Sequence, residues 1–212
     1  MSGSFSVLDN FIVLEGLDGS GTTTQLGLLE RALKREGIPH FCTFEPTRGP
    51  IGRVIRDVLH GRAEVTPYSM ALLFAADRQE HLDAARGGMR SRLEKGDLVL
   101  SDRYLFSSLA YQSIENEFET VLALNRRFPL PAHLYFIDTS PEVCQQRMVR
   151  RRRKDLFDEV EFQRKVYRAY ERAIREFSDS GMVLHRVDGS LSTTELFDTI
   201  WTDLRKLPIF KT

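Results

Sequence analysis

The chain has 212 residues, 28% of them charged and 42% hydrophobic, the balance expected of one compact globular domain. Thirty lysines and arginines offset thirty aspartates and glutamates, so no net field draws the chain to a polyanion or an acidic membrane, and any basic site is local. Cys42 and Cys144 show no CxxC spacing, which argues against a disulfide framework or a cysteine-built metal site. With no apolar run near the length of a membrane span and no signal-peptide pattern in MSGSFSVLDN, the expectation is a soluble cytoplasmic protein.

Along the chain, residues 11–14 (FIVL) read as a short strand buried on both faces. Leu26, Leu29 and Leu33 then form a helical stripe that Gly37 ends. A second strand is expected at residues 41–44, and Thr66-Pro67 places a cap before a proline at the start of a helix. Residues 98–100 (LVL) and 134–137 (LYFI) are the third and fourth strand candidates, and Ser140-Pro141 opens another helix. Phe162, Val166, Tyr170, Ile174 and Phe177 share one face; residues 182–187 (MVLHRV) are a weaker fifth strand. Ser192 and Glu195 make a capping box before a helix lined by Leu196, Ile200 and Leu204. This alternation predicts an α/β fold, a parallel five-stranded sheet wrapped by helices. No repeat, low-complexity tract or linker interrupts it, so a single domain is expected over residues 1–212.

Between the first strand and the first helix lies EGLDGSGTTTQ. The phosphate-loop pattern G-x-x-x-x-G-K-[ST] fits Gly16, Gly21 and Thr23, but Thr22 stands where the pattern has lysine. The position is that of a loop whose amides converge on an anion at a helix N-terminus. Gly16, Gly19 and Gly21 permit the tight path, with Ser20, Thr22 and Thr24 beside them as phosphate contacts, and Thr23 is placed to ligate Mg²⁺. A glycine-rich turn without a ligand is the bland alternative, but a turn alone does not require three glycines and three consecutive threonines.

SDRYLFSSLAYQ follows the third strand. Asp102 at that strand's C-terminal end lies on the edge where open α/β sheets bind ligands, able to offer a carboxylate to a metal shell while Arg103 offers a guanidinium to a phosphate. Alone, the pair equally fits a salt bridge at a strand end. With its flanks, D-R-Y-x-x-S-x-x-A-Y-Q (Asp102, Arg103, Tyr104, Ser107, Ala110, Tyr111, Gln112) resembles the signature of thymidylate kinases. The resemblance extends from FIVLEGLDGSG through FEPTRGPIG and LLFAADR to LYFIDTSPE and the arginine run beyond.

That resemblance implies a P-loop NTPase-type fold, nucleoside monophosphate kinase-like, with a mobile arginine-rich lid over about residues 147–158. It implies transfer of the γ-phosphoryl of ATP to dTMP, giving dTDP and ADP, with Mg²⁺ at Thr23 and Asp102. Phe74 stacks on the pyrimidine and Arg78, four residues on, reaches a base carbonyl; both share a helical face. Tyr111 crowds a ribose 2'-hydroxyl, and Ser107 and Gln112 join the dTMP contacts. Arg48 and Arg103 hold the acceptor phosphate, although FEPTRGP departs from the commoner R-E-P-G-G form and displaces the arginine. Asp18 contacts the acceptor sugar or the metal shell.

The run RMVRRRRKDLFD carries arginine at 147, 150, 151, 152 and 153. In relatives with glycine at the position of Gly19, the lid supplies the catalytic arginine, here Arg150 or Arg151. A missing donor typically costs about 10² to 10³ in rate, and a delivered arginine contributes roughly 10³ to 10⁵, so a lid arginine can offset the absent lysine. The resemblance also implies a homodimer, with ATP and dTMP as partners and no nucleic acid or membrane. Two other readings stand beside it: a nucleotide-binding relative that lost its chemistry with the lysine, and a kinase for another nucleoside monophosphate.

Overall fold

The computed structural model describes residues 5–84, 87–150 and 160–210, the side chains of Val149 and Arg150 excepted. Five strands are present among them: β1 (Val7–Gly16), β2 (His40–Phe44), β3 (Leu98–Asp102), β4 (Leu130–Asp138) and β5 (Val183–Asp188). All adjacent pairs are parallel, in the order β2-β3-β1-β4-β5, with β1 central. The helices between them are α1 (Thr22–Arg35), α2 (Pro50–Leu59), α3 (Pro67–Asp83), α4 (Met89–Leu93), α5 (Leu105–Tyr111), α6 (Phe118–Asn125), α7 (Pro141–Arg150), α8 (Val160–Glu176) and α9 (Thr193–Leu204).

The apolar strands are buried because helices cover both faces of the sheet. Ile12, Leu14, Leu100, Tyr135 and Ile137 face α1 and α9, packing on Leu26, Leu29 and Leu33 and on Leu196, Ile200 and Leu204. Phe11, Val13, Val99, Leu134 and Phe136 face the other way, against α5, α6 and α8. The two-residue period of a strand thus divides one continuous apolar run between two cores. The five strands, the α1 stripe and the helix starts at Thr66 and Ser192 are all found. The Thr66 hydroxyl accepts from the Ser69 N–H, and the Ser192–Glu195 capping box is complete.

Some elements lie beyond the sequence expectations. β1 starts at Val7, ahead of a register shift between Leu8 and Ile12. β5 is an edge strand with Val183 and Leu184 exposed, which accounts for its weak apolar signal. Helices α2, α4, α5 and α6 were not among the sequence expectations, although α2 opens with Pro50 at its first position; α5 is buried from Leu105 to Ala110, so it shows no polar face to give it a helical period. Because every strand runs the same way, Gly16, Phe44, Asp102, Asp138 and Asp188 end on one edge of the sheet, where the site is built.

Candidate active site

The loop joining β1 to α1 bends through two left-handed residues, Gly19 at φ 88° and Gly21 at φ 110°, the latter capping α1. Gly19 also packs against α7: a Cβ there would sit 2.7 Å from the Cys144 carbonyl oxygen. From α7, Arg147 donates to the carbonyls of Ser20 (3.3 Å) and Gly189 (2.8 Å), tying the loop to the segment after β5. Together these segments enclose a cavity of about 280 Å³, lined among others by Gly19, Ser20, Gly21, Thr24 and Arg147 and by Ser192 at the start of α9.

A larger cavity, about 560 Å³, opens at the C-terminal ends of β1, β2 and β3. Asp18, Thr23, Asp102 and Arg103 contribute to its lining from the loop side, and Phe74, Arg78, Tyr111 and Gln112 from α3 and α5. The Thr23 hydroxyl donates to Asp102 Oδ2 at 2.5 Å, joining the first turn of α1 to the end of β3. Asp102 is buried, and its Oδ1 has no hydrogen-bond partner among the described residues. A buried carboxylate oxygen without a donor is costly; beside a hydroxyl one turn into α1, an oxygen donor set of this kind suits Mg²⁺ or its water shell.

Arg103 lies at the centre of the polar network. Its backbone is left-handed (φ 72°), a conformation disfavoured for a residue with a Cβ and found here at the turn out of β3. Its guanidinium pairs with Asp18, donates to Ser107 Oγ (3.2 Å) and the Tyr170 hydroxyl (3.3 Å), and lies 5.3 Å from the centre of the Tyr111 ring. The Asp18 N–H donates to the Tyr111 hydroxyl at 3.0 Å. Burial raises the Tyr111 phenol well above its ordinary range, so it stays protonated at neutral pH.

Arg78 is more deeply anchored than a free base contact would be. It is 1% exposed, pairs with Glu45 Oε2 at 2.6 Å, and donates to Ser108 and Asn125 between the rings of Tyr104 and Phe128. Among the described residues its buried Nε has no hydrogen-bond partner, and neither does buried Gln112 Oε1; with Asp102 Oδ1, one donor and two acceptors are unpaired among the residues lining the larger cavity.

A family model for thymidylate kinase matches residues 14–200. The chain belongs to the thymidylate kinase family. It is 44% identical to a putative thymidylate kinase of Treponema pallidum over 81% of this chain and 82% of that one. It is 39% identical to a putative thymidylate kinase of Aeropyrum pernix, covering 84% and 85%, and 37% identical to a probable thymidylate kinase of Methanocaldococcus jannaschii, covering 81% and 86%.

Within this thymidylate kinase fold the site residues named from sequence divide into three groups. Asp18, Arg48, Phe74, Arg78, Asp102, Arg103, Ser107, Tyr111, Gln112 and Thr23 line the larger cavity, Arg48 being exposed and 5.4 Å from the Phe44 ring centre. Gly19, Ser20, Gly21 and Thr24 line the smaller one, while Gly16 packs tightly, a Cβ there meeting Ser20 Oγ at 2.6 Å. Thr22 is buried and is not among the lining residues of either. The arginines expected of the lid fall elsewhere: the side chain of Arg150 and residues 151–159 lie outside the described residues.

Sequence reasoning missed three contributors. Arg56 of α2 lines the larger cavity and donates to the carbonyls of Pro46 (2.9 Å) and Thr47. Glu45, immediately after β2, is the counter-ion of Arg78, and its Oε1 accepts from His81 Nδ1 at 3.1 Å. Glu15 lies fully buried inside β1. The available signal was the same for both carboxylates: an acid next to an apolar run, which is stable only with buried donors around it.

Proposed function

We propose that this chain transfers the γ-phosphoryl group of ATP to the 5'-phosphate of dTMP, giving ADP and dTDP. The observation that carries the reading is the shared lining of one cavity: Thr23, Asp102 and Arg103, the phosphate and metal chemistry, adjoin Phe74, Arg78, Tyr111 and Gln112, a set suited to a planar base and its sugar. ATP phosphates lie along the glycine loop and the smaller cavity, and dTMP occupies the larger one. Phe74 supplies the stacking face, and Arg78 and Gln112, which line the same cavity, supply polar contacts to the base. Thr23 and Asp102 would hold Mg²⁺, which would neutralise charge on the donor phosphates.

Arg103 and Arg48 orient the acceptor phosphate, whose own negative charge makes a strong general base unnecessary. Alignment and positive charge are the main demands of this chemistry. With Thr22 in place of the loop lysine, Arg147 and the arginines of residues 150–153 provide the remaining cationic groups. The exposed apolar side chains Val54, Val65, Tyr68 and Leu72 on and beside α2 and α3 support a homodimer. Free Cys42 and Cys144 support a cytoplasmic setting, and no helix among the described residues is long and apolar enough to cross a membrane.

The test is ADP formation from Mg-ATP by the purified protein with and without dTMP, alongside Thr22→Lys. Turnover by the native chain that depends on dTMP, and not on other nucleoside monophosphates, is expected. No turnover in the native chain with activity restored in Thr22→Lys would refute it and leave a nucleotide-binding protein.

A further inference from the structure

Among the described residues, the most completely coordinated buried carboxylate is not among the lining residues of either cavity. Glu15 Oε1 accepts the backbone N–H of Tyr104 (2.8 Å) and of Ser107 (3.1 Å), and Oε2 accepts the hydroxyls of Ser107 (2.6 Å) and Tyr170 (2.8 Å). Those two hydroxyls are the groups that receive Arg103 Nη1, at 3.2 and 3.3 Å. A hydroxyl has one proton. When it is given to a carboxylate, the lone pairs remain for the guanidinium.

We propose that Glu15 is a positioning residue for the acceptor phosphate: its carboxylate accepts the hydrogen bonds of the Ser107 and Tyr170 hydroxyls and so leaves both oxygens as acceptors that fix Arg103. The same carboxylate ties down the turn from Asp102 to Ser107 through two backbone amides, holding the left-handed Arg103 in place while Asp18 takes its other nitrogen. This inference rests on the reading of Arg103 as a ligand of the acceptor phosphate.

Only an ionised carboxylate satisfies donors on both sides. An amide at the same place has one oxygen and one NH₂. With the oxygen toward the two backbone N–H groups, the NH₂ donates to the hydroxyls and turns their protons toward Gly16 O, each other or the guanidinium. With the amide reversed, its NH₂ opposes two backbone donors. Protonation of Glu15 has a related effect. Burial pushes its pKa up to about 7, against the lowering influence of Arg103 and of the bonds from Ser107, Tyr170 and Tyr104. The groups facing it are those of the β3–α5 turn, α5 and α8, with Asp18 next beyond Arg103.

The experiment compares dTMP with thymidine, which lacks the 5'-phosphate, as calorimetric ligands of the wild type and Glu15→Gln, with dTMP-dependent ADP formation measured in parallel. Glu15→Gln is expected to weaken dTMP about 10- to 100-fold, the range for hydrogen bonds to a charged group, and to leave thymidine affinity within about twofold. The wild-type advantage for dTMP should shrink as pH falls through about 7; the phosphate's own titration is common to both proteins. Equal loss for dTMP and thymidine, or no loss for either, overturns the proposal. Should Glu15→Gln not fold, the double variant Ser107→Ala, Tyr170→Phe keeps the carboxylate and removes both relays, and the same phosphate-selective loss is required of it. A wild type that neither binds nor phosphorylates dTMP overturns the acceptor assignment itself, and this proposal with it.

Discussion

Replacing Arg78 by methionine separates two tasks that one guanidinium performs. The side chains of Arg78 and Glu45 are 1% and 3% exposed, and their contact is 2.6 Å. Removing the cation leaves Glu45 ionised in the interior or forces it to take up a proton, and strands acceptors on Ser108 and Asn125. Breaking a buried pair from one side destabilises by about 3–5 kcal/mol, whereas neutralising both partners is often close to neutral. Arg78→Met should therefore lower the unfolding free energy in urea by about 3–5 kcal/mol, and Arg78→Met with Glu45→Gln should recover at least about half of that. The His81 contact survives in the double variant, since an amide oxygen can still meet its ring nitrogen. A double variant no more stable than Arg78→Met would refute a coupled buried pair. In the folded double variant, dTMP affinity should still fall about tenfold, because the proposed contact of Arg78 to the base is gone; unchanged affinity would make Arg78 scaffold alone.

Gly19→Ala forces a Cβ onto φ 88° and within 2.7 Å of the Cys144 carbonyl oxygen. The left-handed conformation alone costs about 1–2 kcal/mol, so the phosphate loop should move and the KM for ATP should rise about tenfold or more while dTMP affinity holds; a rise confined to dTMP would contradict the assignment of the two cavities. Glu15 also gives stability a pH dependence of definite sign. Its proton is retained in the folded chain between the ordinary value near 4.5 and about 7 and lost in the unfolded one, so its contribution is fully present below 4.5 and declines by about 3 kcal/mol as pH rises through 7. His133 and His185, both lowered by burial, act in the opposite sense, so the quantity to measure is the urea stability of wild type minus Glu15→Gln across pH 4.5 to 8, and a flat difference would refute it.

The fold was legible wherever a physical constraint acts on few residues at close spacing. Residues 11–14, 98–100 and 134–137 announced themselves because two helical layers leave no polar position on a central strand. Ser192 and Glu195 announced α9 because a helix start needs acceptors for its free N–H groups. Helix α5 was read as a motif and not as a helix, since burial on every side removes the amphipathic period. The site followed the same division: Phe74 and Arg78 share a face by spacing alone, but the partners of Arg78 come from β2's end, α5 and α6, at separations of 33, 30 and 47 residues. No local pattern carries such pairings, and Glu15, whose partners lie about 90 and 155 positions away, is the extreme case.

The missing loop lysine changes which of the remaining cations matters. Arg78 and Arg103 are each paired with a carboxylate, so their charge is largely cancelled before any ligand arrives, and what they offer a substrate is directed hydrogen bonding. Arg56 and Arg147 differ. Among the described residues their hydrogen-bond partners are backbone carbonyls, of Pro46 and Thr47 for the first and of Ser20 and Gly189 for the second. Carbonyl dipoles orient a guanidinium without neutralising it. Arg147, held against the phosphate loop in this way, retains a whole positive charge where the loop itself has only Thr22. Its side chain is kept in register by Ser20, a loop residue, so displacement of the loop and displacement of the charge are one event. On the proposed reading, in which the loop binds phosphate through its amides and borrows its charge from α7, α7 must pack against Gly19, the contact that the absence of a Cβ at that glycine permits.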